Sequence, residues 1–376
     1  MGSGAQRRLI RGQNWDFLAK LKPNVFSTRH RMTFQITVEP SARVFSTNQG
    51  EAILAAAIRQ GIGLPYGCKD GACGSYKCKK ISGTVVHGTH QSKALSEEEE
   101  ANGFILTCCG VPQTDVVIES RNVTDEGAYP VKKMPARVAA LQKVSHDVMV
   151  MRLQLPAAET FKYHAGQYVE FILRDQSRRS YSMGNAPHTQ EALPGIELHL
   201  RHMPGGKFTD HVFGAMKEKE ILRVEGPFGS FYLREDSTKP MILLASGTGF
   251  APIKAIIEHM QFKNIKRPAV LYWGGRRPAD LYMHDWVLAK AAEMPNLTYV
   301  PVVSDALPED AWSGRTGFVH RAVLQDFPDL SGYQVYACGA PVVVDSAQAD
   351  FSALAHLPED EFYADSFVTE KEKHAA

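Results

Sequence analysis

The pattern of apolar and polar positions changes character three times along this chain of 376 residues. From Met32 the text alternates with period two, MTFQITVEP, as a half-buried strand does, and GEAILAAAIRQGI then gathers its apolar residues on one side of a short helix. A cysteine-rich loop and the short extended runs ISGTVVHG, GFILTCCG and DVVIES follow, so a small unit is predicted over residues 32–122. The polar stretch NVTDEGAYPVKKMP, with two prolines and no periodicity, reads as a linker over 123–135. Beyond it ARVAALQKV, VMVMRLQL, QYVEFIL, IELHLRHM and ILRVEG are strand-like runs separated by Gly and Pro, which suits an antiparallel β-barrel over 136–236. From 237 to 376 strand and helix patterns alternate, MILLASG, APIKAIIEHMQFK, AVLYWGG, DWVLAKAAEM, LTYVPVVSD and QVYACGAP. That order predicts an α/β domain with a parallel, doubly wound sheet.

Composition narrows the class without naming it. Apolar residues make up 44% and charged residues 22%, near the averages of soluble globular proteins. The 42 basic and 41 acidic residues nearly cancel, so bulk charge gives no case for nucleic acid or an anionic membrane as partner. No run reaches the roughly 18 to 20 apolar residues of a membrane span, and the start lacks a secretory apolar region, so a cytoplasmic location is expected. The leader, residues 1–31, holds Arg7, Arg8, Arg11, Lys20, Lys22, Arg29 and Arg31 against Asp16. It suits a transit peptide or a basic docking arm, with a frayed terminus the simpler expectation. SEEEE at 96–100 reads as a solvated loop.

Five of the six cysteines fall between Cys68 and Cys109, and such clustering points to metal rather than to disulfides. A plant-type [2Fe-2S] cluster takes C-x4-C-x2-C and a distant fourth Cys, because a short loop must aim thiolates and backbone N–H groups at it. Cys68, Cys73 and Cys108 match that spacing, but the third position holds Tyr76, and Cys78 comes two residues late. Two readings stay open. Cys78 could serve after a shift of about 6.6 Å along an extended chain, or the site has lost a ligand and holds a labile cluster or none. Cys78 and Cys109 also read as small buried apolar residues, which is where most unpaired cysteines end up.

The run MILLA leads straight into SGTGFAP and a helix, which places Gly247, Thr248 and Gly249 in a strand-to-helix turn. Glycines there let backbone approach a pyrophosphate, and the helix start offers unpaired N–H groups. Pro252 fits an early helical position.

Taken together YGCKDGACGS, FILTCCG, HAGQYVEF, RRSYSMGNAP, GGKFTDHVF, VEGPFGSF, ASGTGFAPIK, YWGGR, YVPVVSD, VYACGAP and FYADSF resemble, in order, the ferredoxin-NADP reductase superfamily in its oxygenase-reductase form. Within it the chain looks most like the CDP-6-deoxy-Δ3,4-glucoseen reductases. The resemblance implies a β-grasp ferredoxin domain with a [2Fe-2S] cluster, an FAD-binding barrel and a domain for NADH or NADPH. It implies that Arg179 meets a flavin phosphate, that Tyr181 packs on the flavin ring, that Ser182 stands near its reactive nitrogen, and that Gly205, Gly206 and Thr209 line the FAD diphosphate. It also implies that Gly247, Thr248 and Gly249 hold the nicotinamide nucleotide, that Cys338 and Gly339 lie beside the nicotinamide, and that Phe367 covers the flavin. Arg276 and Arg277, after the second strand of the α/β domain, are placed to grip a 2′-phosphate, although the family mostly uses NADH. The expected activity is hydride transfer to FAD and electron delivery to an acceptor protein, a deoxysugar dehydrase or an oxygenase component, by a monomer. A cluster-free derivative using its first module only for docking is the alternative that Tyr76 leaves open.

Overall fold

Strands Phe34–Glu39 and Arg43–Thr47 form a hairpin, and Phe34–Glu39 then pairs in parallel with Val116–Glu119. Lys77–Ser82 and Phe104–Leu106 extend this five-stranded sheet. Helix Ile53–Arg59 buries Ile53, Leu54, Ala56 and Ala57 against it, the β-grasp arrangement. This is a computed structural model; it describes residues 33–120, 123, 129–158, 160–192 and 194–373. The basic leader and residues 124–128 of the expected linker lie outside the described residues. Compact packing unites Thr33–Ala376.

The second module is a six-stranded antiparallel sheet in the order Arg178–Ser182, Tyr168–Ile172, Ile221–Phe228, Lys132–Lys143, Val148–Gln154, Ile196–Arg201. A bridge between Met183 and Leu198 closes it into a barrel. The first barrel strand begins at Lys132, four residues inside the expected linker. Pro135 is tolerated there because it pairs only with Arg223, while pairing to Val148–Gln154 starts at Arg137, so its missing N–H removes no ladder bond on that side. SEEEE is not a loop: Glu97–Ala101 is a helical turn. Ser96 accepts from the Glu99 N–H, and the Glu99 carboxylate returns to the Ser96 N–H.

The third module is a parallel sheet in the order Arg315–Thr316, Leu297–Val303, Ala269–Gly275, Met241–Ser246, Gln334–Gly339, Phe362–Ser366. Its first strand, MILLAS, is buried on both faces because helices cover both sides, Phe250–Phe262 and His284–Glu293 on one, Val319–Asp326 and Pro341–Ala355 on the other. The chain reverses its direction of travel across the sheet at this strand, so its carboxyl end opens the crevice in which such folds bind ligands.

Buried charge ties the barrel to the sheet. The Lys254 ammonium meets Glu197 at 3.0 Å and Glu258 at 2.6 Å, and donates to the Gly184 carbonyl at 2.9 Å. Burial would raise the Glu197 carboxyl, but the hydrogen bond with His199 and the charge of Lys254 outweigh it and hold it at about 2.

Candidate functional site

Gly247 has φ of 54°, a left-handed value that suits glycine, and the Trp273 indole donates to its carbonyl at 3.1 Å. Phe250 stacks on that indole at 3.9 Å, which fixes the turn from behind. Helix Phe250–Phe262 starts without a side-chain cap; the Phe250 N–H bonds back to the Gly247 turn and Pro252 has none, so the backbone of the glycine turn is what it presents to a phosphate. A Cβ on Gly249 would stand 2.2 Å from the Cys338 carbonyl oxygen, and one on Gly339 would stand 2.4 Å from the Ser246 carbonyl oxygen. Glycine at both places lets the strand ends Ser246 and Gly339 come together, and the Ser246 hydroxyl accepts from the Ala340 N–H at 2.9 Å.

Across this crevice lies the barrel strand Arg178–Ser182. Arg179 and Tyr181 alternate on one side of it, and the Tyr181 ring packs by Phe171 at 5.8 Å and Phe208 at 5.7 Å. Phe208 belongs to helix Lys207–Gly214, which begins at Gly206 with no side-chain cap; Gly205, at φ of 83°, faces open space. The Thr209 hydroxyl is used inside the loop, donating to the Met203 carbonyl at 3.0 Å and accepting from its N–H at 3.2 Å. The Arg179 guanidinium donates to the Arg178 carbonyl at 2.6 Å and has Glu370 at 3.7 Å. Two helix starts without side-chain caps, a flat ring and a guanidinium with donors to spare are the set that a dinucleotide flavin and a nicotinamide nucleotide need, so the residues fit both groups.

Ser182 points the other way and donates to the Asp365 carboxylate at 2.9 Å, and the Cys338 thiol lies 3.9 Å from the same oxygen. Asp365 sits opposite Cys338 in the strand ladder. Burial pushes its carboxyl up to about 6, against the hydrogen bonds from Ser182 and Cys338. Burial likewise raises the Cys338 thiol well above its ordinary value, so it stays protonated. Next to it the Ser366 hydroxyl is buried without a hydrogen-bond partner, and Phe367 donates its N–H to the Gly339 carbonyl at 2.8 Å. Asp365 and Ser366 were absent from the sequence reading. The segment FYADSF that contains them was noted, but nothing local marks Asp365, whose partner lies 183 residues away.

Arg276 and Arg277 follow strand Ala269–Gly275, as expected, but Arg276 reaches further into solvent than Arg277. Arg277 grips Asp310 through two hydrogen bonds of 2.7 and 2.8 Å. Asp280 accepts from the backbone N–H groups of both arginines and fixes the turn.

The cysteine loop of the first module docks at the same crevice. The Tyr66 N–H donates to the Ser230 hydroxyl at 2.8 Å, the Tyr168 hydroxyl donates to the Gly67 carbonyl at 3.2 Å, and Lys69 pairs with Glu170 at 2.9 Å. Cys68, Cys73 and Cys108 come together, with the N–H groups of Asp70 and Cys73 directed at the Cys68 sulfur, the latter at 3.3 Å. Hydrogen bonds from the Cys108 and Cys73 thiols, with those N–H groups, hold the Cys68 thiol far below its usual range. N–H groups converging on sulfur are what a cluster loop supplies, so the residues fit a [2Fe-2S] group at three positions. Cys78 does not join them. Its strand pairs it with Ile105, its side chain packs at the hydrophobic core of the sheet, and burial pushes its thiol up to about 12. The strand register, which sets Cys78 opposite Ile105, overrides the shift that the spacing allowed.

Comparison with known proteins agrees with this geometry. Residues 36–113 match a 2Fe-2S iron-sulfur cluster binding domain, 135–232 an oxidoreductase FAD-binding domain and 243–349 an oxidoreductase NAD-binding domain. The chain belongs to the ferredoxin-NADP reductase superfamily, in the form that joins these three domains. It is an oxidoreductase whose domains fit electron transfer from NAD(P)H. It is 39% identical over 344 residues to the CDP-6-deoxy-L-threo-D-glycero-4-hexulose-3-dehydrase reductase of Yersinia pseudotuberculosis, covering 90% of this chain and 100% of the relative. It is 34% identical to a reductase component of terephthalate 1,2-dioxygenase from a Comamonas species, covering 90% and 98%. The crystal structure of an Amycolatopsis cytochrome P450 reductase superposes with a TM-score of 0.73 at 31% identity, over 89% of this chain and 99% of that one. Among the described residues no helix is long and apolar enough to cross a membrane.

Proposed function

We propose that this chain takes hydride preferentially from NADH and delivers electrons to a separate dehydrase acting on a nucleotide-linked deoxyhexulose, as the name of its 39% identical Yersinia relative says of that protein. The observation that carries the reading is the convergence of Ser182, Cys338 and Asp365 at a crevice onto which the cysteine loop also packs. FAD, when bound, supplies hydride acceptance and one-electron release.

The chain's own residues do the rest. Arg179 and the N–H groups after Gly206 hold the flavin diphosphate, Tyr181 packs on its ring, and Gly247, Thr248 and Gly249 present backbone to the nucleotide phosphates. Cys338, neutral and fully buried, and Gly339 shape a dry floor for the nicotinamide, with Phe367 closing the flavin side. Asp365 accepts from the Ser182 hydroxyl and so orients that group at the seam where hydride passes. Preference for NADH is supported by Arg277, whose guanidinium is already taken by Asp310.

The test is rapid-mixing reduction of the flavin-loaded chain by NADH and by NADPH under anaerobic conditions, with ferricyanide and then a purified deoxyhexulose 3-dehydrase as acceptors. Flavin bleaching by NADH with ferricyanide turnover is expected, and electron delivery to the dehydrase should exceed delivery to an oxygenase component. A chain that binds no flavin sinks the reading; one that reduces only the oxygenase component moves the acceptor to the second class, which the Comamonas relative favours.

A further inference from the structure

Three of the six cysteines border one cavity at the cysteine loop. Cys68, Cys73 and Cys108 line it together with Tyr76, and the other three lie elsewhere. Cys78 pairs with Ile105 inside the sheet, Cys109 packs against Ala94, Leu95 and Leu106, and Cys338 stands in the nucleotide domain beside Asp365. Among the described residues no histidine and no carboxylate lines the cavity, so the side-chain donors left besides the thiols are hydroxyls.

Tyr76 occupies the third ligand position of the motif, and its place is fixed. A Cβ on Gly67 would stand 3.6 Å from the Cys73 sulfur and 3.9 Å from the Tyr76 ring, so the ring flanks the thiols. Its hydroxyl is already spent on the Ala364 backbone, donating to the carbonyl and accepting from the N–H, both at 3.1 Å. Acting as a ligand would break both bonds and strand both Ala364 groups at a buried seam. A [2Fe-2S] group takes four protein donors, and three thiols leave one iron position unfilled. Cys68, Cys73 and Cys108 are each only partly buried, so the site is open to small solutes.

We propose that Cys68, Cys73 and Cys108 alone hold the [2Fe-2S] group, and that Tyr76, standing where a fourth thiol is needed, leaves one iron position to a small donor from solution. This deepens the reading of the first module as a cluster carrier and rests on it. Water fills the position by default, and a low-molecular-weight thiol is the favoured occupant, because soft sulfur donors suit iron-sulfur groups. The exchange breaks one iron–oxygen bond and forms one iron–sulfur bond. The thiol proton passes to solvent, and no oxidation state changes.

The experiment loads the full flavin-containing chain anaerobically with ferric iron and sulfide. It compares the unaltered protein with Tyr76→Cys, Tyr76→Phe, Cys78→Ala and Cys109→Ala. Iron and sulfide per flavin and the electron paramagnetic resonance of the dithionite-reduced protein are read before and after β-mercaptoethanol is added, with bound flavin reporting that each variant folds. The unaltered chain should hold about two irons per flavin, and its resonance should move when the thiol is added. Tyr76→Cys should hold as much iron with a resonance that the thiol does not move. Tyr76→Phe, Cys78→Ala and Cys109→Ala should match the unaltered chain in both iron and thiol response. An unaltered resonance that ignores the thiol overturns the proposal, and it does so whether or not Tyr76→Phe folds. Lost iron or a changed resonance in Tyr76→Phe, Cys78→Ala or Cys109→Ala with flavin intact also overturns it, since that residue is then a ligand. An unaltered chain that takes no iron while Tyr76→Cys takes about two irons per flavin overturns it too, yet leaves the loop a cluster site. Iron in neither sinks the cluster reading as well, while flavin bleaching by NADH tests the hydride reading separately.

Discussion

The Ser182 hydroxyl donates to the Asp365 carboxylate at 2.9 Å, across 183 residues of sequence and across the seam between the barrel and the parallel sheet. Strand Phe362–Ser366 also carries Ala364, which Tyr76 holds from the other module, so one short strand touches both the proposed hydride site and the cysteine loop. Changes at either end should therefore be felt along it.

Asp365 gives a pH signature with a definite sign. Its folded carboxyl titrates at about 6, above the ordinary Asp value, so the stability it contributes is present below about pH 4 and is lost as pH rises through about 6. Asp365→Asn, neutral throughout, loses nothing over that window. Stability of the flavin-loaded chain relative to this variant should fall by about 2 to 3 kcal/mol between about pH 4 and about pH 7.5, measured by denaturant unfolding. A difference that is flat in pH would contradict the buried, proton-holding carboxyl.

Nucleotide choice should turn on Asp310. Removing its charge in Asp310→Asn releases the Arg277 guanidinium, and NADPH kcat/KM should rise about tenfold while NADH use changes little. Arg277→Ala in the otherwise unaltered chain should leave NADPH use nearly where it was. The opposite pair of results would make Arg277 a phosphate ligand despite its grip on Asp310.

Arg179→Ala should weaken FAD retention by about tenfold to a hundredfold, since a charge-assisted hydrogen bond to phosphate is lost. Flavin fluorescence on dilution reads the change. Retention equal to that of the unaltered chain would remove Arg179 from the phosphate site.

Lys254→Met leaves Glu197 and Glu258 without their shared buried cation and should cost about 3 to 5 kcal/mol of stability, seen in denaturant unfolding. Flavin would be lost early in the transition, because Lys254 also holds the Gly184 carbonyl just beyond Ser182. A cost within about 1 kcal/mol would show that water replaces the ammonium.

Three modules were legible because hydrophobic periodicity switches with the architecture, and the strand-to-helix turn was legible because strand, Gly247 to Gly249 and helix are contiguous. RRSYS was read as a motif but not as the strand it also is, since its alternation is nearly all polar. The helical turn after Ser96 carried a local signal, Ser and Glu three apart, that the run of acidic residues concealed. What no local pattern could show were pairings across the fold: Asp365 with Ser182, Arg277 with Asp310 33 positions on, and Tyr76 with Ala364, 288 positions away. Cys109 was read as a small apolar residue because most unpaired cysteines end up so, and it packs against the cluster of Ala94, Leu95 and Leu106.

Phe362–Ser366 is the last strand of its sheet, and an outermost strand offers unpaired N–H and C=O groups to any other chain that can add to it. The Tyr76 hydroxyl saturates both groups of Ala364 in the middle of that border. The iron-sulfur module thus doubles as a guard against strand addition between molecules. A fragment lacking it would keep every residue of the hydride site and still be prone to self-association, so poor recovery of such a fragment would report an uncovered border rather than a failed flavin site.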